Sequence, residues 1–202
     1  MNFFMNNSID VIFHLPGIHT LPLNKSLIIS NINSFVGRHE NNITIMADGY
    51  ARTSGKIGVI IVTPGPGLGN TISGCMEAFS SDIPLLIIHI DTGRDKIGKG
   101  ILHELAEPES MFTHITKKTY AISKPIEVKH TFEQAYHTAV SGRKGPVLIS
   151  MPYTFLEKDV PDEKLLKNSL TTILKPTGTE VRRLKPPKPT NAIAKAIGTL
   201  RA

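Results

Sequence analysis

Short apolar runs alternate with segments of helical periodicity through the first three quarters of the chain. Several of these runs are continuous and rich in Ile, Val and Leu, which is typical of strands buried on both faces of a parallel sheet. Strands are predicted at residues 10–15, in a segment ending at 34–36, and at 57–62, 84–90, 118–123 and 145–152. Because strand and helix alternate about six times, the pattern predicts a doubly wound α/β fold with a mainly parallel six-stranded sheet and helices on both faces.

Between the strands, apolar residues recur three or four positions apart, as on one face of a helix. Helices are predicted at residues 3–5, as a short remnant, and at 21–27, 40–54, 72–80 and 125–141. The periodicity groups Met46 with Ile43, and Met76 with Ile72. Residues 63–70 form a glycine-rich turn, and residues 92–116 read as a long loop with short helical pieces that borders the predicted cleft.

The composition changes after residue 156, where the predicted domain (1–156) ends. Residues 157–190 are rich in proline and lysine and are expected to form a linker. Residues 191–202 have the periodicity of one helix, which is marginal alone. We therefore expect that helix to begin a further domain that these 202 residues lack.

The net charge of +6 lies mostly in the last 46 residues, which hold ten Lys/Arg and five Asp/Glu. This stretch contains no aromatic residue to stack on bases, so no nucleic-acid partner is expected. No apolar run approaches the length of a membrane span, and no secretory leader is expected from the pattern of the first residues. With Cys75 as the single cysteine, we expect a cytoplasmic protein with no membrane partner.

Glu40 stands where the chain changes from an extended to a helical pattern. It follows the segment ending at Val36 and begins the helix of Ile43 and Ala47. Such corners, at the carboxyl ends of strands, line the ligand crevice of open α/β sheets. Taken alone, an acid at this place could serve only to complement the positive end of the helix dipole.

The glycine-rich turn allows two interpretations. Gly65, Gly67 and Gly69 follow a strand, and Asp91 ends the next one, which is close to a dinucleotide-binding fingerprint. However, that fingerprint needs its third glycine where Asn70 stands. An NAD-binding enzyme is therefore kept as an alternative.

The string Arg38-His39-Glu40, followed five residues later by Met-Ala-Asp-Gly-Tyr-Ala-Arg at 46–52, resembles the pyrimidine-binding domain of thiamine-diphosphate enzymes of the acetolactate synthase and pyruvate oxidase group. A second family signature, Thr-x-Gly-Pro-Gly-x-x-Asn, occupies residues 63–70. Residues 13–23 and 142–147 are similar to the family's first loop and last strand. The resemblance covers about residues 8–156.

The resemblance implies a decarboxylating or carboligating lyase or transferase that acts on a small 2-keto acid. In this reading Glu40 is the catalytic residue that bonds the pyrimidine ring and promotes loss of the thiazolium C2 proton, and His39 helps to position it. His19 and His103 are candidates on the substrate side, and His89 is expected in the core. The implied cofactor-binding residues are Pro16, Gly17, Glu40, Thr63, Pro66, Gly67, Asn70 and Asp91.

The family holds the diphosphate through Mg²⁺ bound by a Gly-Asp-Gly motif, which these 202 residues lack. The chain is therefore expected to contribute no metal ligand, to be inactive alone, and to pair with a diphosphate-binding domain of the same or another subunit, in a homodimer or larger assembly. Several first-loop and cleft residues, including His14, His19, Asp91 and His103, differ from those usual in acetolactate synthases, which leaves the reaction open. A non-catalytic pairing or regulatory subunit with the same fold is the second alternative.

Overall fold

The computed structural model describes residues 1–30 and 32–157 and places six strands in one sheet. The order across the sheet is β2-β1-β3-β4-β6-β5, and all neighbouring strands are parallel. The strands are β1 (Val11–His14), β2 (Asn33–Val36), β3 (Gly58–Val62), β4 (Leu85–Asp91), β5 (Lys118–Ala121) and β6 (Val147–Pro152). The predicted fold class is confirmed, whereas the predicted linker and further helix lie outside the described residues.

Six α-helices cover the sheet in the described part of the chain. They are α1 (Asn2–Asn6), α2 (Leu21–Ile28), α3 (Glu40–Ser54), α4 (Pro66–Gly69), α5 (Ile72–Ser80) and α6 (Val128–Val140). Short 3-10 turns occur at Ile18–Thr20, Arg94–Lys96, Pro108–Phe112, Pro125–Glu127 and Tyr153–Glu157. Part of the predicted glycine-rich turn is therefore a helical turn, α4, that leads into α5.

The sheet separates two apolar layers, as expected when helices pack on both faces. On one side α1, α2 and α6 contribute side chains such as Phe4, Leu27 and Phe132. On the other side α3 and α5 contribute Ile43 and Cys75, among others. All residues of β3 and β4 are buried, which fits the mostly apolar sequences of these two strands.

Two methionines that the helical periodicity grouped with apolar residues of α3 and α5 are exposed. Met46 on α3 is 40% exposed and Met76 on α5 is 52% exposed. The buried face of α3 includes the polar residues Thr44 and Asp48 beside Ile43, Ala47 and Ala51, and Met46 lies outside it. The helix lies close to the sheet, since a side chain at Gly58 of β3 would collide with the carbonyl of Ala47.

Candidate active site

The carboxyl ends of the parallel strands lie at one edge of the sheet, and the predicted site residues follow them. Pro16 and Gly17 come after β1, Glu40 after β2, and Thr63 after β3, while Asp91 is the last residue of β4. Loops at this edge form the ligand crevice of an open α/β sheet. The fold therefore gathers residues that are far apart in the sequence.

Glu40 is the first residue of α3 and is only 7% exposed. The preceding His39 caps the helix, because its Nδ1 accepts a 3.1 Å hydrogen bond from the backbone N–H of Asn41. The Asn41 side chain in turn accepts a 3.1 Å bond from the N–H of Gly74 in α5. His39 and Asn41 thus hold the first turn of α3 in place, with the Glu40 carboxylate at the positive end of the helix.

Asn70 provides the direct partner of Glu40. Its side-chain amide donates a 2.9 Å hydrogen bond to Glu40 Oε2. The turn of α4 places Asn70, whose backbone N–H bonds to the carbonyl of Pro66 at 2.9 Å. Among residues 1–30 and 32–157, no other side chain or backbone group donates a described hydrogen bond to this carboxylate. Oε1 can therefore accept a bond from another donor.

Gly67 lies between Thr63 and Glu40. A Cβ added to Gly67 would collide with Thr63 Oγ1 and would lie 3.6 Å from Glu40 Oε1. Gly17 also approaches this place, because its Cβ would lie 2.5 Å from Thr63 Cγ2. We call Glu40, Thr63, Gly67 and Asn70 together the Glu40 site. Pro16 and Pro66 lie exposed beside it, next to Gly17 and Gly67 in the chain.

A second group of titratable side chains lies at the same edge, and we call His19, Asp91 and His103 the Asp91 cluster. Asp91 is 6% exposed, and burial raises the pKa of its carboxyl group above the ordinary value. Burial lowers the pKa of His19; the charge of His103 lowers it further, and the charge of Asp91 opposes the shift. The His19 ring also packs edge-on against Tyr153, with centroids 5.4 Å apart.

Two other histidines lie in strands. His14 lies within the strand predicted at residues 10–15, although it was also counted among the cleft histidines; it is the last residue of β1 and is buried, so burial lowers its pKa. His89 was expected in the core, where it lies fully buried in β4. Its Nδ1 is 2.9 Å from Ser150 Oγ, its Nε2 has no described partner, and burial lowers its pKa to about 3.

Sequence reasoning missed two residues at this edge. Tyr153 follows β6 and touches His19 only because the sheet brings their segments together. Glu104 binds three backbone N–H groups of its own loop, at Gly98, Gly100 and Ile101. A glutamate that follows two closely spaced glycines was the only signal available for it in the sequence.

The described residues contain no group of three or more His, Cys, Asp or Glu side chains placed to hold a metal ion. Among the same residues, no helix is both long and apolar enough to cross a membrane.

Comparison with known proteins identifies the family. The family described as thiamine pyrophosphate enzyme, N-terminal TPP binding domain, matches residues 3–111. The chain is 37% identical over 145 residues to the acetolactate synthase large subunit of Lactococcus lactis, covering 71% of this chain and 25% of that protein. It is 37% identical over 157 residues to a probable 2-ketoarginine decarboxylase of Pseudomonas aeruginosa, covering 77% of this chain and 28% of that protein.

Solved structures agree on the fold. The thiamine diphosphate-dependent 4-hydroxybenzoylformate decarboxylase of Rhodococcus jostii superposes with a TM-score of 0.75 at 24% identity, over 98% of this chain and 36% of its own. Benzoylformate decarboxylase of Polynucleobacter necessarius gives a TM-score of 0.74 at 25% identity, over 80% and 30%.

The α/β fold and the matched segment define an N-terminal domain of a cofactor-dependent enzyme. The chain belongs to the thiamine pyrophosphate enzyme family and carries its N-terminal, pyrimidine-binding domain. It spans about a quarter of the length of the curated relatives it matches. The NAD alternative is also disfavoured by topology, because the strand order differs from the 3-2-1-4-5-6 order of dinucleotide-binding folds.

Proposed function

We propose that this chain is the pyrimidine-binding half of the active site in a thiamine-diphosphate-dependent lyase or transferase that acts on a 2-keto acid. The observation that supports this most is the Glu40 site, in which a nearly buried carboxylate is held by Asn70 and has its second oxygen beside Gly67. A helix-end charge alone does not need the Asn70 bond.

The Glu40 site fits an aminopyrimidine ring. Glu40 Oε1 is available to share a proton with a ring nitrogen, while the missing side chain at Gly67 leaves room for Thr63 beside it. Thr63 and Gly17 form the neighbouring wall. Bound thiamine diphosphate supplies a group that stabilises a carbanion.

In the proposed reaction Glu40 holds and moves the proton of the pyrimidine ring. The Asn70 bond occupies Oε2 and leaves Oε1 as the oxygen that exchanges this proton. The Asp91 cluster lies on the substrate side, where its members bind or exchange protons with the 2-keto acid. Asp91 is also proposed to contribute to the cofactor-binding site.

The diphosphate and its Mg²⁺ are proposed to bind to another domain, because the 202 residues contain no Gly-Asp-Gly. That domain belongs to the same or another subunit, and residues 157–190 and 191–202 are proposed to lead toward further chain. Exposed apolar side chains on α3 and α5, namely Ile45, Met46 and Met76, support a partner on that face, in a dimer or larger assembly. The cytoplasmic location stays a prediction.

Both decarboxylation and acetolactate-synthase-like carboligation are kept as reactions, since relatives bear the names of both classes. The non-catalytic alternative is less well supported, because such a subunit has no need of Glu40 in a buried, bonded position.

Thermal denaturation with increasing thiamine diphosphate and Mg²⁺ tests the half-site. The 202-residue chain should show no dose-dependent rise in Tm, because a ligand stabilises only what it occupies. With its diphosphate-binding domain restored, the protein should show a rise in Tm and release CO₂ from a 2-keto acid such as pyruvate or 2-ketoarginine. Micromolar binding by the chain alone would contradict the half-site, and cofactor binding without turnover of any 2-keto acid would favour the non-catalytic alternative.

A further inference from the structure

The loop that follows β4 contains an internal clamp. Glu104 Oε1 accepts a 2.5 Å hydrogen bond from the N–H of Gly98, and Oε2 accepts bonds of 2.9 Å from Gly100 and 3.3 Å from Ile101. The backbone N–H of Glu104 also bonds to the carbonyl of Ile101 at 3.1 Å. One carboxylate therefore ties together residues 98–104, a segment with no strand or helix of its own.

The clamped segment carries His103 in an unusual backbone conformation. His103 has φ +65°, in the left-handed region that residues other than glycine rarely adopt. Gly98 and Gly100, on the other side of the clamp, also have positive φ values of 79° and 65°. A backbone of this kind persists only where surrounding contacts hold it. The Glu104 carboxylate accepts three hydrogen bonds within the same segment, from Gly98, Gly100 and Ile101.

His103 packs directly on the loop of the Glu40 site. A Cβ added to Gly65 would lie 3.0 Å from both the Cβ and the carbonyl oxygen of His103. Gly65 itself has φ +60° and precedes α4, the turn that carries Gly67 and Asn70. The position of residues 98–104 is therefore coupled by contact to the bend that shapes the Glu40 site.

The charge of His103 also acts on His19, because it lowers the pKa of that ring. Glu104 contacts neither histidine in any described hydrogen bond. The backbone N–H groups of its loop lower the pKa of the Glu104 carboxyl group, so it is ionised and accepts these bonds across the neutral pH range.

The geometry points to Glu104 as a positioning residue: its carboxylate fixes residues 98–104 so that His103 lies on Gly65, beside the turn that carries Gly67 and Asn70. Its importance for turnover rests on the proposed function, whereas the clamp itself does not. Glu104→Gln keeps the size of the side chain but has one acceptor oxygen and no charge, so it can hold fewer of the three N–H groups, and less strongly.

Amide hydrogen exchange on the 202-residue chain measures the clamp without substrate or cofactor. In Glu104→Gln the amides of Gly98, Gly100 and Ile101 should exchange at least about tenfold faster, which is the loss expected when charge-assisted hydrogen bonds are removed. The NOE contacts between Gly65 and His103 should weaken together with them. Glu104→Asp, which keeps two charged oxygens, should restore part of the protection.

Glu107→Gln is the matched control, because Glu107 lies three residues further in the same loop and loses the same charge. It should leave the exchange rates and the Gly65–His103 contacts as in the parent chain. Unchanged exchange in Glu104→Gln, or an equal loss in Glu107→Gln, overturns the clamp.

In the complete enzyme with pyruvate as the probe, Glu104→Gln should lower kcat/KM and change its pH profile while the Kd for thiamine diphosphate stays the same. A faster exchange at residues 98–101 with unaltered turnover would refute the positioning role but keep the clamp. Absence of turnover in the parent enzyme would count against the proposed function and would leave the exchange result to decide the clamp.

Discussion

The side chains of Glu40 and Asn70 are joined by a 2.9 Å hydrogen bond that spans thirty residues of sequence. Glu40 begins the helix after β2, and Asn70 ends the short helix after β3. The bond therefore connects the two family signatures at the edge of the sheet, and it fixes which carboxylate oxygen is occupied.

Removal of this bond should lower the stability of the fold. Asn70→Ala leaves the nearly buried Glu40 carboxylate without its described donor, so the free energy of unfolding should fall by about 1 to 2 kcal/mol. Urea denaturation followed by circular dichroism measures this change. Asn33→Ala, on the exposed edge strand β2, is the control and should change stability by less than about 0.5 kcal/mol. An equal effect of both variants would show that the bond contributes nothing.

Two glycines of α4 offer a matched pair of substitutions. A Cβ at Gly67 collides with Thr63 and approaches Glu40, whereas a Cβ at Gly69 meets nothing within 4 Å. Gly67→Ala should therefore destabilise the chain by about 1 to 3 kcal/mol, as overpacking does. Gly69→Ala, at a residue without positive φ, should be neutral or stabilising. Thermal melts of both variants test this, and the reverse order of stabilities would show that Gly67 is not confined by its neighbours.

His89 should make stability depend on pH. Its folded-state pKa is lowered to about 3 from 6.5, so the folded protein prefers the neutral ring. The stability that this preference contributes is complete above pH 6.5 and is lost as the pH falls from 6.5 toward 3, by about 1.4 kcal/mol per unit.

Denaturant unfolding at pH 7 and pH 4.5 checks this dependence. Between the two pH values, the free energy of unfolding should fall by about 2 to 3 kcal/mol less in His89→Leu than in the parent chain. The exposed His114 provides the control, and His114→Leu should behave like the parent. A parallel loss of stability in His89→Leu and the parent would refute a neutral buried His89.

The exposed methionines should mediate self-association. Met46 and Met76 lie on the outer sides of α3 and α5, helices that pack against each other, so the chain should form dimers at high micromolar concentration. A double variant with Met46→Glu and Met76→Glu should be monomeric by light scattering. Ile29→Glu, at an exposed residue just after α2, should not change the mass. A monomeric parent chain would contradict this assignment of the interface.

The sequence predicted the sheet because continuous apolar runs and glycine stops are local signals. It also placed Glu40 correctly at the start of a helix, since the change of period occurs there. His14 falls within the predicted strand, although it was also counted among the cleft histidines, because the end of a strand and the start of a loop look alike in sequence. Met46 is exposed because the buried face of α3 includes Thr44 and Asp48, and the contact between His19 and Tyr153 depends on the order of the strands, so neither could be predicted from spacing.

Glu40 is proposed to activate the cofactor, and the most direct test is exchange of the thiazolium C2 proton into deuterated water. The measurement uses the complete enzyme with its diphosphate-binding domain, and NMR after rapid quenching. Glu40→Gln keeps the shape and can still hydrogen-bond, but its amide cannot exchange a proton with the pyrimidine ring. We expect an exchange rate about 10² to 10⁴ times slower than in the parent, with little change in cofactor affinity. An exchange rate within a factor of a few of the parent would show that Glu40 only complements the helix end.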